Sequence, residues 1–233
     1  MSIRRPEAGF SSSPRFPDAR RSGFSWCRAI TTWTERSSRG SVQIQNVQHA
    51  IASTALANRE WKLKQQLRDT TTGQLLFQSH SAYNDFAAPF GCQIWPEKPF
   101  WHQDIPLENG VSLRLYGLTS TLLSGREGND DNERDLYLSP LQTVLDPAPN
   151  TINLVLCHHP IDWLDDGDAV DDALTARAAF HVFGHKHKQR LLMDPSYVRF
   201  AAAAVNPSRD EKPYEPGYNL IRLRSRVLES IAA

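Results

Sequence analysis

The 233-residue sequence predicts an α/β domain. Three patterns carry that expectation. The apolar run Ile152, Leu154, Val155 and Leu156 reads as a strand buried on both faces. A helical stretch, "DAVDDALTARAA", separates it from a second strand, "FHVF". More strand-like segments follow, "RLLM", "YVRFAAAAV" and "YNLIRLRS". Beyond residue 110 the order is therefore strand, helix, strand and then a run of strands, which is α/β moving into a mostly β end.

The earlier elements follow in order. Residues 1–40 hold eight Arg, no Lys and three acids, punctuated by Ser, Pro and Gly. No helix or strand period survives, and such a segment buries too little apolar surface to offset its ordering entropy. Residues 1–41 are expected to form a disordered tail. An organelle transit peptide would share that composition. So would a nucleic-acid-binding arm, because Phe10, Phe16, Phe24, Trp26 and Trp33 interleave with the arginines. A tail without function is the plainer reading. Residues 42–233 read as one domain. In residues 42–69, Val47, Ile51, Ala55, Leu63 and Leu67 recur at near-helical spacing and predict helix. Residues 70–91 read as a turn and helical pieces ending at Pro89 and Gly91. Residues 92–110 carry three prolines and a turn at Asn109–Gly110, and read as short strands and loops. In "VSLRLYGLTS", Val111, Leu113 and Leu115 alternate with Ser112 and Arg114, as in a strand. "SGREGNDDNERD" is a polar loop. "SPLQTVLDP" is a short helix started by Ser139 and Pro140. Asp168 is the expected N-cap of the helix after residue 167.

Composition narrows the function classes. The formal net charge is zero, so nothing global points to nucleic acid or an anionic membrane as partner. Cys27, Cys92 and Cys157 are widely spaced and odd in number, which suits reduced thiols in a cytoplasmic protein. No apolar run approaches the roughly 20 residues of a membrane span.

Histidines carry the chemistry. Five of the eight lie between residues 158 and 187. His158 and His159 end the buried strand, and His185 and His187 follow Gly184 after the next one. Ligands in open α/β sheets collect at the carboxyl ends of strands, so both pairs can reach one crevice. In an extended segment, residues i and i+2 face the same side. His185 and His187 would then converge while Lys186 faces away, and Gly184 would permit a tight turn. Neutral imidazoles suit Zn, Mn or Fe ions. Taken alone, the segment is equally a polar turn. A structural zinc site from Cys157, His158, His185 and His187 has the right ligand count but an awkward spacing. His181 reads as a strand residue.

Taken together, "LVLCHHP" and "FHVFGHKHKQR" resemble the last two metal motifs, HHP and GHxH, of the calcineurin-like metallophosphoesterases. The resemblance covers roughly residues 42–233, with "GLTSTLLSG" and "AAAVNPSRDEKPYEPGYNLIRL" in the places of sheet strands and site rim. It implies the C-terminal part of a layered αββα sandwich and hydrolysis of phosphate mono- or diesters. It makes His158, His185 and His187 metal ligands and puts His159 behind them or at the rim, with the roles of His158 and His159 open to exchange. Two Mn, Fe or Zn ions about 3.5–4 Å apart would clamp the phosphoryl oxygens.

The family's three earlier motifs, DxH, GDxxD and GNHD or GNHE, are absent. "GDAVD" (167–171) follows the HHP motif and reads as a helix start, and "GNDD" (128–131) lacks the histidine. The expectation is therefore an incomplete sandwich, with residues 1–41 standing where the N-terminal half belongs. Three imidazoles without a bridging carboxylate would hold at most one ion weakly, because two nearby cations repel strongly. Hydrolysis would be impaired. The alternatives are a non-catalytic remnant that binds a partner or one ion, and a structural zinc protein. Exposed sheet edges would favour self-association. The loop 124–135 and Trp163 are candidates for the site rim.

Overall fold

Helices open the described part of the chain, which in this computed structural model is residues 40–128 and 131–202. The tail expected before Gly40 and the strand expected in "YNLIRLRS" lie outside it. Helix α1 spans Val42–Ala52, and Ser41 caps it by accepting from the Ile44 amide. Its face Ile44, Val47 and Ile51 is buried.

The expected long helix over 42–69 is two helices, because the chain breaks before α2, Leu56–Arg68. Ser53 and Thr54 turn their hydroxyls back onto the carbonyls of His49 and Ala50, at 2.7 and 2.9 Å. Such local bonds compete with helix continuation. Helix α3, Thr70–Gln78, is capped by Asp69, which accepts from the Thr72 amide at 2.8 Å. Helix α4, Ser81–Ala87, runs into a 3₁₀ turn at Ala88–Phe90 that Gly91 ends in the left-handed conformation (φ 65°). That is the expected stop at Pro89 and Gly91.

The sheet follows. Strand β1, Trp101–Pro106, pairs antiparallel with β2, Ser112–Leu118. The connection turns at Asn109 and Gly110, with φ of 59° and 69°. Asn-Gly suits those angles and the strand twist, so the expected turn closes a hairpin. Strands β3 (Thr151–Cys157), β4 (Phe180–Phe183) and β6 (Val198–Ala201) continue parallel to β2, and β5 (Arg190–Met193) closes the edge antiparallel to β6. The order is β1-β2-β3-β4-β6-β5. The α/β class is thus observed, as five α-helices and one mixed, mostly parallel sheet among the described residues. The αββα sandwich expected from the resemblance has two sheets.

Helix α5, Gly167–Thr175, covers one face of the sheet. His181 on β4 bonds through Nε2 to the carbonyls of Leu174 and Ala178, and Asn153 on β3 donates to the Arg177 carbonyl. Asp171 on α5 pairs with Arg199 on β6. The N-cap position falls two residues earlier than expected, at Asp166 rather than Asp168. Gly167 permits this, because a Cβ there would lie 2.5 Å from the Ile161 carbonyl oxygen. The segment "GDAVD" is therefore a helix start packed on the sheet. The core centres on Ile51, Leu76, Leu123, Leu136, Val155 and Leu174.

Candidate metal centre

The strand register explains why the two histidine motifs meet. Cys157, the last residue of β3, pairs with Phe183, the last residue of β4. Both strands run the same way, so His158 and Gly184 leave the sheet at the same level. The Gly184 amide stitches the two exits by donating to the carbonyls of His158 (3.0 Å) and Cys157 (3.3 Å). Pro160 then turns the chain into a 3₁₀ turn, Ile161–Trp163.

Candidate ligand atoms of His158, His159 and His185 all lie within 4.8 Å of one another. His158 Nε2 and His185 Nδ1 are 3.2 Å apart. The segment 184–187 is a turn and not the expected extended stretch. His185 and His187 have φ of 63° and 52°, and the Lys186 amide donates to the Gly184 carbonyl at 2.8 Å across His185. Left-handed φ at both residues breaks the i, i+2 alternation that would have turned both imidazoles to one point. His185 joins His158 and His159, whereas His187 lies outside that group yet still acts on His158 electrostatically. Lys186 pairs with Asp162 and, at 3.6 Å, with Glu133.

Burial sets the protonation of the group. His158 is 9% exposed and His159 fully buried. Burial first, then the neighbouring His185 and His187, pulls the His158 imidazole down to about 3. Burial likewise holds His159 well below the usual histidine range. Both rings are neutral at pH 7, so each keeps an in-plane lone pair. His159 Nδ1 lies 2.9 Å from Ser120 Oγ, and the His159 amide donates to the same oxygen at 3.3 Å. With the proton on Nδ1 and donated to Ser120, Nε2 carries the lone pair. That Nε2 is buried and has no hydrogen-bond partner among the described residues. Trp163 walls the group, its indole 3.9 Å from the His185 ring centroid and stacked at 5.9 Å on His159. Of the two expected rim elements, Trp163 borders the group directly, and the loop 124–135 reaches the Gly184–His187 turn through Glu133 and Lys186.

The wall beside β2 comes from "GLTSTLLSG", which the resemblance placed among the sheet strands and site rim without assigning any of its residues a role. Thr119, Ser120 and Thr121 follow β2, and each is held separately. Gln142 accepts from the Thr119 amide at 2.7 Å and donates to its carbonyl at 3.2 Å. Ser120 meets His159. His80 Nε2 meets Thr121 Oγ1 at 2.8 Å, while its Nδ1 lies 3.1 Å from Ser79 Oγ. His80 is buried, which pulls it down to about 4. Beyond that resemblance, a run of three hydroxyl residues at the carboxyl end of a strand was the signal in the sequence, and His80 gave none. The other candidates are placed elsewhere. His181 is a strand residue bound to α5 carbonyls and stacked on Tyr197 at 5.0 Å. Cys157 packs in the core, outside the histidine group.

The three imidazoles could hold one metal ion. Two nitrogens bound to a tetrahedral ion at about 2.0–2.1 Å lie roughly 3.3 Å apart, close to the spacing of His158 and His185. The same spacing also serves a hydrogen bond between two neutral imidazoles. No carboxylate belongs to the group among the described residues, so nothing there would separate two ions.

Fold and site together define an α/β protein with a buried three-histidine group, able to hold a metal ion, at the carboxyl edge of its parallel strands. No family model matches the chain, and comparisons with curated proteins and with solved structures find no match. The resemblance to metallophosphoesterases therefore rests on the two sequence motifs alone. None of the described helices is long and apolar enough to cross a membrane.

Proposed function

We propose that His158, His159 and His185 bind one divalent ion, Zn, Mn or Fe, and that the centre belongs to a hydrolase acting on phosphate mono- or diesters. The observation that carries the metal reading is the buried Nε2 of His159, partnerless among the described residues, beside two further imidazoles. A buried polar atom left unsatisfied costs about 1–3 kcal/mol, and a ligand that satisfies it recovers that cost. The ester chemistry rests on the paired HHP and GHxH motifs alone. When bound, such an ion lowers the pKa of a water molecule and draws charge from a phosphoryl oxygen.

The chain's own residues supply the rest. Ser120 fixes the His159 ring, the Gly184 amide locks the two ligand loops together, and Trp163 excludes water from the outer side of His185. Lys186 is held by Asp162 and Glu133, which orients the turn carrying His185 and His187. Cys92 and Cys157 are buried and form no disulfide among the described residues, which supports a cytoplasmic location for this activity.

Titration with Co(II), followed by its visible absorption and by quenching of Trp163, tests the centre. One equivalent is expected to bind. His158→Ala, His159→Ala and His185→Ala should each weaken binding at least tenfold, and His187→Ala should weaken it less. Turnover of bis(4-nitrophenyl) phosphate with added Mn(II), lost in His185→Ala, supports the esterase reading, and metal binding without turnover overturns it. The lack of a carboxylate in the group favours a second reading, a single bound ion without catalysis.

A further inference from the structure

Of the histidine group, His158 lines a cavity of about 810 Å³. Its lining is mostly apolar and includes Phe90, Ile94, Trp101, Leu156 and Val182. The polar residues of the wall form two groups, Thr119 to Thr121 with His80 and His158 where β2 and β3 end, and Gln103 and Asp104 on β1, where Asp104 is paired with Arg114. Pockets of roughly 300–1,000 Å³ hold small molecules, with a few polar groups fixing orientation and apolar walls supplying affinity.

This cavity is built in advance of any ligand. Trp101 donates from Nε1 to the Tyr83 hydroxyl at 2.9 Å, and Tyr83 donates to the Cys92 carbonyl at 2.7 Å. The Trp101 indole lies flush against Gly117, where a Cβ would fall 2.0 Å from the ring. A side chain fixed from both directions makes a rigid wall, and a rigid wall loses little entropy on binding.

We infer that the cavity receives the apolar body of an amphiphilic anion, an alkyl or aryl phosphate ester, with its phosphate head at the His158 end. The assignment of the head rests on the proposed metal centre, whereas that of the apolar body rests on the cavity alone. A nucleotide or sugar phosphate would bring many hydroxyls and amines against walls with few partners for them, at a desolvation cost. An alkyl chain meets walls of its own kind.

A homologous series of n-alkylphosphonates from methyl to octyl, titrated into the full chain by calorimetry with and without Mn(II), tests the inference. Affinity is expected to rise roughly three- to fourfold per added methylene, the gain for burying each one. Val182→Asp and, separately, Leu156→Asp should flatten the series. Equal affinity for methyl- and octylphosphonate overturns the cavity assignment even where Mn(II) strengthens both. A full chain-length dependence that Mn(II) does not change supports the apolar site and overturns the metal reading of the histidines.

Discussion

Ser120 is the residue on which the chemistry of His159 turns. Its oxygen meets both the imidazole and the backbone amide of His159, so one side chain sets the ring's position and its tautomer. Groups that orient a histidine ligand in this way commonly change metal affinity 10–100-fold when removed. Ser120→Ala should therefore lower Co(II) affinity by about tenfold with all three imidazoles in place. Ser120→Thr, which keeps the hydroxyl, should retain most of it. Equal loss in both variants would assign Ser120 to packing alone. The neighbouring contacts divide the wall in the same way, Gln142 holding Thr119 and His80 holding Thr121, so each residue of the run has its own anchor.

At the scale of elements, Arg59 joins what the break in the first helix separates. It is 8% exposed. From α2 it donates to the carbonyls of Ala52 and Thr54 at the end of α1, pairs with Asp165 just before α5, and lies over the Tyr137 ring. One guanidinium thus satisfies helix-end carbonyls that would otherwise be buried bare. Asp165 is 37% exposed, so the ion pair counts for less than a fully buried one. Arg59→Ala is expected to cost about 2 kcal/mol in urea denaturation, chiefly through the orphaned carbonyls. Arg59→Lys should recover only part, because an ammonium lacks the planar fork.

For the whole molecule, β5 is an edge of the sheet among the described residues. Leu191, Leu192 and Met193 there are 58%, 50% and 73% exposed. An apolar edge strand with unpaired backbone groups is a template for another chain. Sedimentation velocity should show concentration-dependent association, reduced in Leu192→Lys and Met193→Glu. A monomer at all concentrations would remove the edge as a contact.

Much of this was legible in the sequence because it depends on local pattern. The buried run before His158, the stop at Pro89 and Gly91, the Asn109–Gly110 turn and the α/β class each follow from residue types at short spacing. Two elements misled for equally local reasons. Apolar spacing runs through residues 53–55 unbroken, so the back-bonding of Ser53 and Thr54 was invisible. The expected alternation of His185 and His187 assumed extended backbone, and both residues are left-handed. The sequence alone determined that histidines end two successive strands. Only the tertiary structure decided which of them meet, because parallel register places Cys157 beside Phe183 and so brings His158, His159 and His185 together from positions far apart in the chain. It also supplied Ser120, His80 and the Trp101 wall, whose roles arise from contacts between elements that no local spacing encodes.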